Sequence, residues 1–367
     1  MTRPKIITLV GTRPELIKLS PVIPLFDALF EHQLIHSGQH YSFSMDAIFF
    51  EELRLPAPAY RLEVGSGSHA AQTARILERL EPALQAEQPS AVVVLGDTNT
   101  TLAGALTATK LHIPCVHLEA GCRSFNRAMP EEINRILTDH MAELLCAPGE
   151  RERSHLQAEG IPAGSIHVVG STAIDACLRN RDLAASRTLI PQLGLDPGSY
   201  ILLTLHRAEN TTPDVLRSIL GAINALAERW DVVFPIHPRT REVLASLQRE
   251  APAFGLHPKI HVIDPVGYLD MLHLVVRSHA VMTDSGGLQE ETAVLGKPLL
   301  VLRQETEWTY LVDAGAAFLV GNAGDTILET ALPLLRQGQC AFKTADVAAQ
   351  CGAAQRIADV LAAKIGG

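Results

Sequence analysis

The chain has 367 residues, too many for one comfortable hydrophobic core, so two domains of ordinary size are expected. Hydrophobic residues make up 47% and charged residues 19%, which excludes a disordered chain. A net charge of −9 argues against a protein that holds nucleic acid mainly through phosphates, yet leaves room for a local cluster that binds a small anion.

In chain order, Ile6–Val10, Ala91–Leu95, Cys115–Leu118 and His167–Val169 read as buried parallel strands, each followed by a turn and a helical pattern. Ala70–Ala86 and Thr100–Lys110 are predicted helices. Arg179–Ser199, polar and broken by Pro191, Gly194, Pro197 and Gly198, reads as a linker. The pattern then restarts with strands at Tyr200–Leu205 and Val232–Ile236, separated by a helix over Thr212–Arg229. Further strands follow at His261–Ile263, Ala280–Thr283 and Pro298–Leu302. The expectation is two doubly wound α/β domains, 1–180 and 181–367, with a C-terminal helix at about 345–365 packing back onto the first. Met1–Pro4 runs directly into a strand, so no signal peptide is expected, and no stretch reaches the length of a membrane span. The six cysteines form no CxxC pair and their spacing predicts no metal site.

Ligands of doubly wound sheets sit at the carboxyl ends of the strands, so the turns there carry the chemistry. The first turn is Gly11-Thr12-Arg13-Pro14-Glu15: Arg13 at a helix start opposes the helix dipole unless an anion uses it, and Lys18 lies one turn later. In Gly96–Thr101, Asp97 is either the cap of the next helix or a site carboxylate. Glu119, in His117–Gly121, stands at a strand end but has Arg123 as a candidate partner. Glu131, after Pro130, also fits an ordinary helix start. Three carboxylates (Asp97, Glu119, Glu131) converging on a cleft that also holds Arg13 would stand near an anion site, where they are costly unless they move protons, which points to acid/base work. In the second half, Asp284-Ser285-Gly286-Gly287 leads a strand into a helix, and its glycines and free N–H groups suit a phosphate. Glu291 is placed to accept from a ribose diol, and His206 and His237 follow two further strands. Gly65–Ala70 nearly matches GxGxxA, but no buried strand leads into it, so no nicotinamide site is expected there.

Together the segments GTRPELIK (Gly11–Lys18), GDTNTT (Gly96–Thr101), HLEAG (His117–Gly121), MPEEINR (Met129–Arg135), HRAEN (His206–Asn210) and TDSGGLQEE (Thr283–Glu291) closely resemble the non-hydrolysing UDP-N-acetylglucosamine 2-epimerase family. The resemblance implies the GT-B fold, two Rossmann-like domains with the active site in the cleft between them, and a homodimer. It implies that Arg13, His206, Ser285, Gly286 and Gly287 contact the diphosphate, that Glu291 contacts the ribose, and that the uracil is held near Tyr268–Met271. Asp97, Glu119 and Glu131 become the acid/base group, with Lys18 and His237 nearby; Met271, Arg135 and Glu307 complete the expected substrate contacts.

The chemistry has its own logic. The C2 hydrogen of an amino sugar is not next to a carbonyl, and transient oxidation would need a nicotinamide. Elimination of UDP to 2-acetamidoglucal, then re-addition, is left, with no cofactor. The reading is a cytoplasmic isomerase of UDP-N-acetylglucosamine, with no nucleic acid or membrane partner. A hydrolysing relative, a GT-B glycosyltransferase and a UDP-sugar sensor are the competing readings. Two departures from the family pattern stand out. Trp308, in Thr306-Glu307-Trp308-Thr309-Tyr310, replaces the Arg common in bacterial members, which opens UDP-2,3-diacetamido-2,3-dideoxyglucuronate as an alternative substrate. Gln39-His40-Tyr41-Ser42 keeps only Gln-His of a regulatory pattern, so activation by substrate is not expected.

Overall fold

The computed structural model describes residues 3–39, 49–306, 308–337 and 350–365. Two compact units emerge, one formed by Met1–Ala176 with Ala349–Gly367 and the other by Cys177–Ala348.

The first unit holds a seven-stranded sheet: β1 (Lys5–Val10), β2 (Glu31–His36), β3 (Tyr60–Arg61), β4 (Ala91–Leu95), β5 (Cys115–Leu118), β6 (Leu144–Ala147) and β7 (Ile166–Val168). Their order is β3-β2-β1-β4-β5-β6-β7 and every pairing is parallel. The second unit repeats the scheme with β8 (Tyr200–Thr204), β9 (Asp231–Pro235), β10 (Ile260–Ile263), β11 (Ala280–Thr283), β12 (Leu299–Val301) and β13 (Ala317–Leu319). Their order is β10-β9-β8-β11-β12-β13, again parallel throughout. Both are Rossmann-like arrangements. The strand order reverses between β1 and β4, and between β8 and β11, so each sheet opens a crevice at those strands' carboxyl ends.

The strands are legible as apolar runs because helices cover both faces. In the first unit Ile76, Leu80 and Leu84, on helix His69–Glu87, pack against Ile7, Leu9, Val92 and Val94. In the second, Leu216, Ile219, Leu220 and Ile223 form one stripe of helix Pro213–Ala227 and bury against Ile201, Leu203, Val232 and Phe234.

Some expectations fail. Arg179–Ser199 is not a linker: helix Thr172–Ala184 runs through its first part, and Ile190, on a short helix Leu189–Gln192, is seated in a core cluster with Tyr200 and Leu202. The polar run 179–182 lies on that ordered helix. The C-terminal helix begins at Ala353, not 345, after Gly352 at φ +81°; residues 345–349 lie outside the described ones. Its Ile357, Ala358 and Leu361 are buried within the first unit.

Candidate active site

In the first unit the turns after β1, β4 and β5 meet. Gly11 ends β1 where space is short: a Cβ there would lie 2.2 Å from Thr100 Oγ1 and 2.6 Å from Ser37 Oγ. Glu15 closes the turn as a capping box. One of its carboxylate oxygens accepts the N–H groups of Gly11 and Thr12, each at 2.7 Å, and the other accepts the Thr98 hydroxyl at 2.8 Å. The turns after β1 and β4 are thereby stitched together. Arg13, first residue of helix Arg13–Leu19, lies over the ring of Phe49, 4.7 Å from its centroid.

Gly11, Arg13, Lys18, Asp97, Thr98 and Glu119 line one pocket of about 440 Å³. Lys18 Nζ meets Glu119 Oε2 at 2.7 Å, and Glu119 adopts a left-handed φ of +64°. Arg123, the partner expected from sequence, is occupied elsewhere: it binds Asp139 Oδ2 at 2.7 Å and grips Glu159 with two donors. Asp97 is not the helix cap either; Thr98 fills that role by accepting from Thr101 N. Asp97 instead pairs with Arg135 on helix Pro130–Met141. Burial holds its carboxyl above the ordinary aspartate value, the charges of Arg135 and Lys18 oppose that rise, and those of Glu119 and Glu131 add to it. Glu131 thus acts on Asp97 from the first turn of helix Pro130–Met141. The next residue, Glu132, was given no role from sequence. It accepts the N–H groups of Ser124 and Phe125, both at 2.9 Å, and holds Arg135 in place through two further bonds.

In the second unit the anchor is Asp284, which stood in the motif without a role. Its buried carboxylate accepts the N–H groups of His206 and Arg207 at 3.0 Å, and Asn210 Nδ2 at 3.2 Å. It also faces His206 Nδ1 at 2.8 Å. Burial alone would raise the Asp284 carboxyl, but these hydrogen bonds outweigh it and hold the group below its ordinary value. The rings of His206 and His237 approach to 6.2 Å between centroids. Ser285 occupies the N-cap position of helix Gly286–Val294 without a side-chain capping bond, so Gly286 and Gly287 supply the helix's first N–H groups, and a Cβ at Gly287 would meet nothing within 4 Å. Glu291 lies on the same helix, where its charge raises the phenol of Tyr268 in addition to the larger effect of burial. Met271, half-buried on helix Tyr268–Arg277, packs against the cluster around Tyr200. Glu307, His40, Tyr41 and Ser42 lie outside the described residues.

Among the described residues no group of three or more His, Cys, Asp and Glu is arranged to hold a metal ion, and no helix is long and apolar enough to cross a membrane.

A family model described as UDP-N-acetylglucosamine 2-epimerase matches residues 26–362. The chain belongs to the UDP-N-acetylglucosamine 2-epimerase family. It is therefore an enzyme of the isomerase class with a GT-B type α/β fold. Among its relatives, the UDP-N-acetylglucosamine 2-epimerase of Methanocaldococcus jannaschii is 45% identical over 333 residues, covering 89% of this chain and 90% of that protein. The UDP-2,3-diacetamido-2,3-dideoxy-D-glucuronate 2-epimerase of Pseudomonas aeruginosa is 46% identical over 337 residues, covering 89% and 91%. A crystal structure of the M. jannaschii UDP-GlcNAc 2-epimerase in complex with UDP-GlcNAc and UDP matches with a TM-score of 0.78 at 41% identity, covering 97% of this chain and 99% of that one.

Proposed function

We propose that this epimerase interconverts UDP-N-acetylglucosamine and UDP-N-acetylmannosamine by elimination and re-addition of UDP, with no cofactor. The observation that carries this reading is the pocket in which Asp97 and Glu119 stand beside Arg13 and Lys18. Carboxylates beside cations are what a reaction needs when it removes a proton and expels an anion. The C1–O bond breaks and its electron pair leaves with UDP; the C2 proton passes to a carboxylate. The product pair is 2-acetamidoglucal and UDP. Return of a proton to the opposite face of C2, and attack of the UDP oxygen on C1, complete the inversion.

In this reading Asp97, Glu119 and Glu131 form the acid/base group, with Lys18 and Arg135 setting their charge environment. Arg13, His206, Ser285, Gly286 and Gly287 bind the diphosphate, and Glu291 binds the ribose. His237, Met271 and Glu307 make further substrate contacts. Asp284 holds His206 by its Nδ1, which leaves Nε2 for the leaving phosphate. The working form is a homodimer in the cytoplasm.

A second reading keeps the chemistry and changes the sugar to UDP-2,3-diacetamido-2,3-dideoxyglucuronate. The 46% identity to the P. aeruginosa relative supports it, as does Trp308 in place of Arg. Incubation with each UDP-sugar alone decides: a higher kcat/KM for UDP-N-acetylglucosamine supports the first reading, and the reverse supports the second. Release of free N-acetylmannosamine as main product would replace both with hydrolysis.

A further inference from the structure

Behind the pocket, His117 on β5 is wholly buried. Its Nε2 lies 2.8 Å from the carbonyl oxygen of Gly96, and its Nδ1 lies 2.7 Å from Asp139 Oδ1. A carbonyl oxygen has no hydrogen to give, so Nε2 carries one. The second oxygen of Asp139 accepts the N–H of Gly121 at 3.1 Å and the guanidinium of Arg123 at 2.7 Å, which keeps this carboxyl ionised. An ionised carboxylate has no hydrogen to give either, so Nδ1 carries the second proton.

We propose that His117 is a permanent imidazolium whose two N–H groups position both carboxylate-bearing turns of the site; that role in catalysis rests on the epimerase reading above. One N–H holds the carbonyl that immediately precedes Asp97. The other holds Asp139, which in turn grips the N–H of Gly121, two residues after Glu119. Both turns need such a tie. Gly96, Glu119 and Gly121 all have left-handed φ, at +76°, +64° and +80°. A Cβ on Gly121 would lie 2.4 Å from the Glu152 carbonyl oxygen, so that turn has no slack.

The groups that act on this ring come from several elements: Asp139 from helix Pro130–Met141, the Gly96 carbonyl from the turn after β4, and Glu119 from the turn after β5. These are themselves partnered, Asp139 by Arg123, which also pairs with Glu159, and Glu119 by Lys18 of helix Arg13–Leu19. Burial works against a charged ring, but the charge and hydrogen bond of Asp139, the Gly96 carbonyl and Glu119 outweigh it and lift His117 above the ordinary histidine value. For Asp139 burial alone would raise the carboxyl; His117 and Arg123 reverse this and hold it low. Neither ring nitrogen is free to reach the pocket, so His117 moves no proton and the acid/base work stays with the carboxylates.

The test is ring-nitrogen NMR of the full chain labelled with ¹⁵N-histidine, at about pH 8, well above the ordinary histidine value of about 6.5. One histidine should show both ring nitrogens protonated, with protons protected from solvent, and this signal should vanish in His117→Gln. In Asp139→Asn, which keeps the shape and removes the charge, the ring should be neutral at the same pH. A singly protonated His117 in the wild-type chain would overturn the proposal. In the second arm, His117→Gln should lower kcat by about a hundredfold, the scale of a misplaced catalytic group, and leave UDP affinity within about twofold. Wild-type kcat in that variant would overturn the positioning role. Absence of turnover of UDP-N-acetylglucosamine by the wild-type chain would instead strike the epimerase reading, and the NMR arm would still decide the charge.

Discussion

Lys18 and Glu119, separated by 101 positions in the chain, meet as an ion pair at 2.7 Å on the wall of a pocket. About a third of the Lys18 side chain and a sixth of Glu119 remain exposed. A pair this open contributes at most about 1 kcal/mol to stability, and the role proposed for Glu119 is in turnover rather than in holding the fold. Glu119→Gln should therefore lower turnover by at least about a hundredfold and shift the unfolding midpoint little. Steady-state kinetics beside a denaturant titration checks this. A large loss of stability with modest loss of turnover would reassign Glu119 to the fold.

Asp97 gives a prediction about pH. Its carboxyl is held up by burial, with Glu119 and Glu131 adding to the rise and Arg135 and Lys18 opposing it. A raised carboxyl stays protonated where a free aspartate is already ionised. The acid limb of kcat/KM should then lie above the ordinary aspartate value of about 3.9. Arg135→Gln removes an opposing cation and should move the limb to higher pH. Glu131→Gln removes a negative charge and should move it lower in the residual activity. Limbs that move in the same direction in both variants would contradict this electrostatic account.

Gly11 is chosen for space rather than for backbone freedom. Gly11→Ala forces a methyl against Thr100 and Ser37, and overpacking of this kind costs about 1–3 kcal/mol. The expected result is a lower midpoint of urea unfolding with an unchanged slope. Turnover should fall as well, because Thr100 belongs to the helix that starts beside Asp97. An unchanged midpoint would mean that the turn relaxes freely.

Much of this was legible because parallel sheets covered on both faces write their strands as apolar runs. Ala91–Leu95 and Cys115–Leu118 have the same bounds in sequence and structure. Strands with mixed residues escaped notice, among them Glu31–His36, whose first half is not buried, and the two-residue Tyr60–Arg61 at the sheet edge. The turns proposed to form the site stood out because strand ends carry chemistry in such folds. Their internal wiring was not. Arg123 looked like a partner for Glu119 from four residues away, but Asp139 and Glu159, brought in by two other elements, claim it. His117 and Asp139 are 22 positions apart, and nothing in their local sequence announces that one ring will join two turns. Glu15 was the exception. The spacing Thr12-x-x-Glu15 is a capping signature that could have assigned its role.

Asp284 links stability to pH in the opposite sense from Asp97. Its carboxyl is held below the ordinary value, so it contributes stability that is present above that value and lost as pH falls through the folded one. Asp284→Asn keeps the shape but weakens the bonds to His206, Arg207 and Asn210. At about pH 7 it should cost about 3 kcal/mol, the scale of a broken buried charge network, and weaken UDP binding. The gap between wild type and variant should narrow as pH falls below the ordinary aspartate value of about 3.9. Unfolding curves across that range read it directly; a gap that widens toward acid would mean that Asp284 is protonated in the folded chain.

The central claim is that C2 is inverted by losing its proton to the enzyme while UDP departs. The most direct measurement is to incubate the chain with UDP-N-acetylglucosamine alone in deuterated water and read C2 by proton NMR and mass. The account predicts UDP-N-acetylmannosamine carrying solvent deuterium at C2, with deuterium also entering the recovered starting sugar. Epimerisation that keeps the original hydrogen at C2 throughout would contradict it.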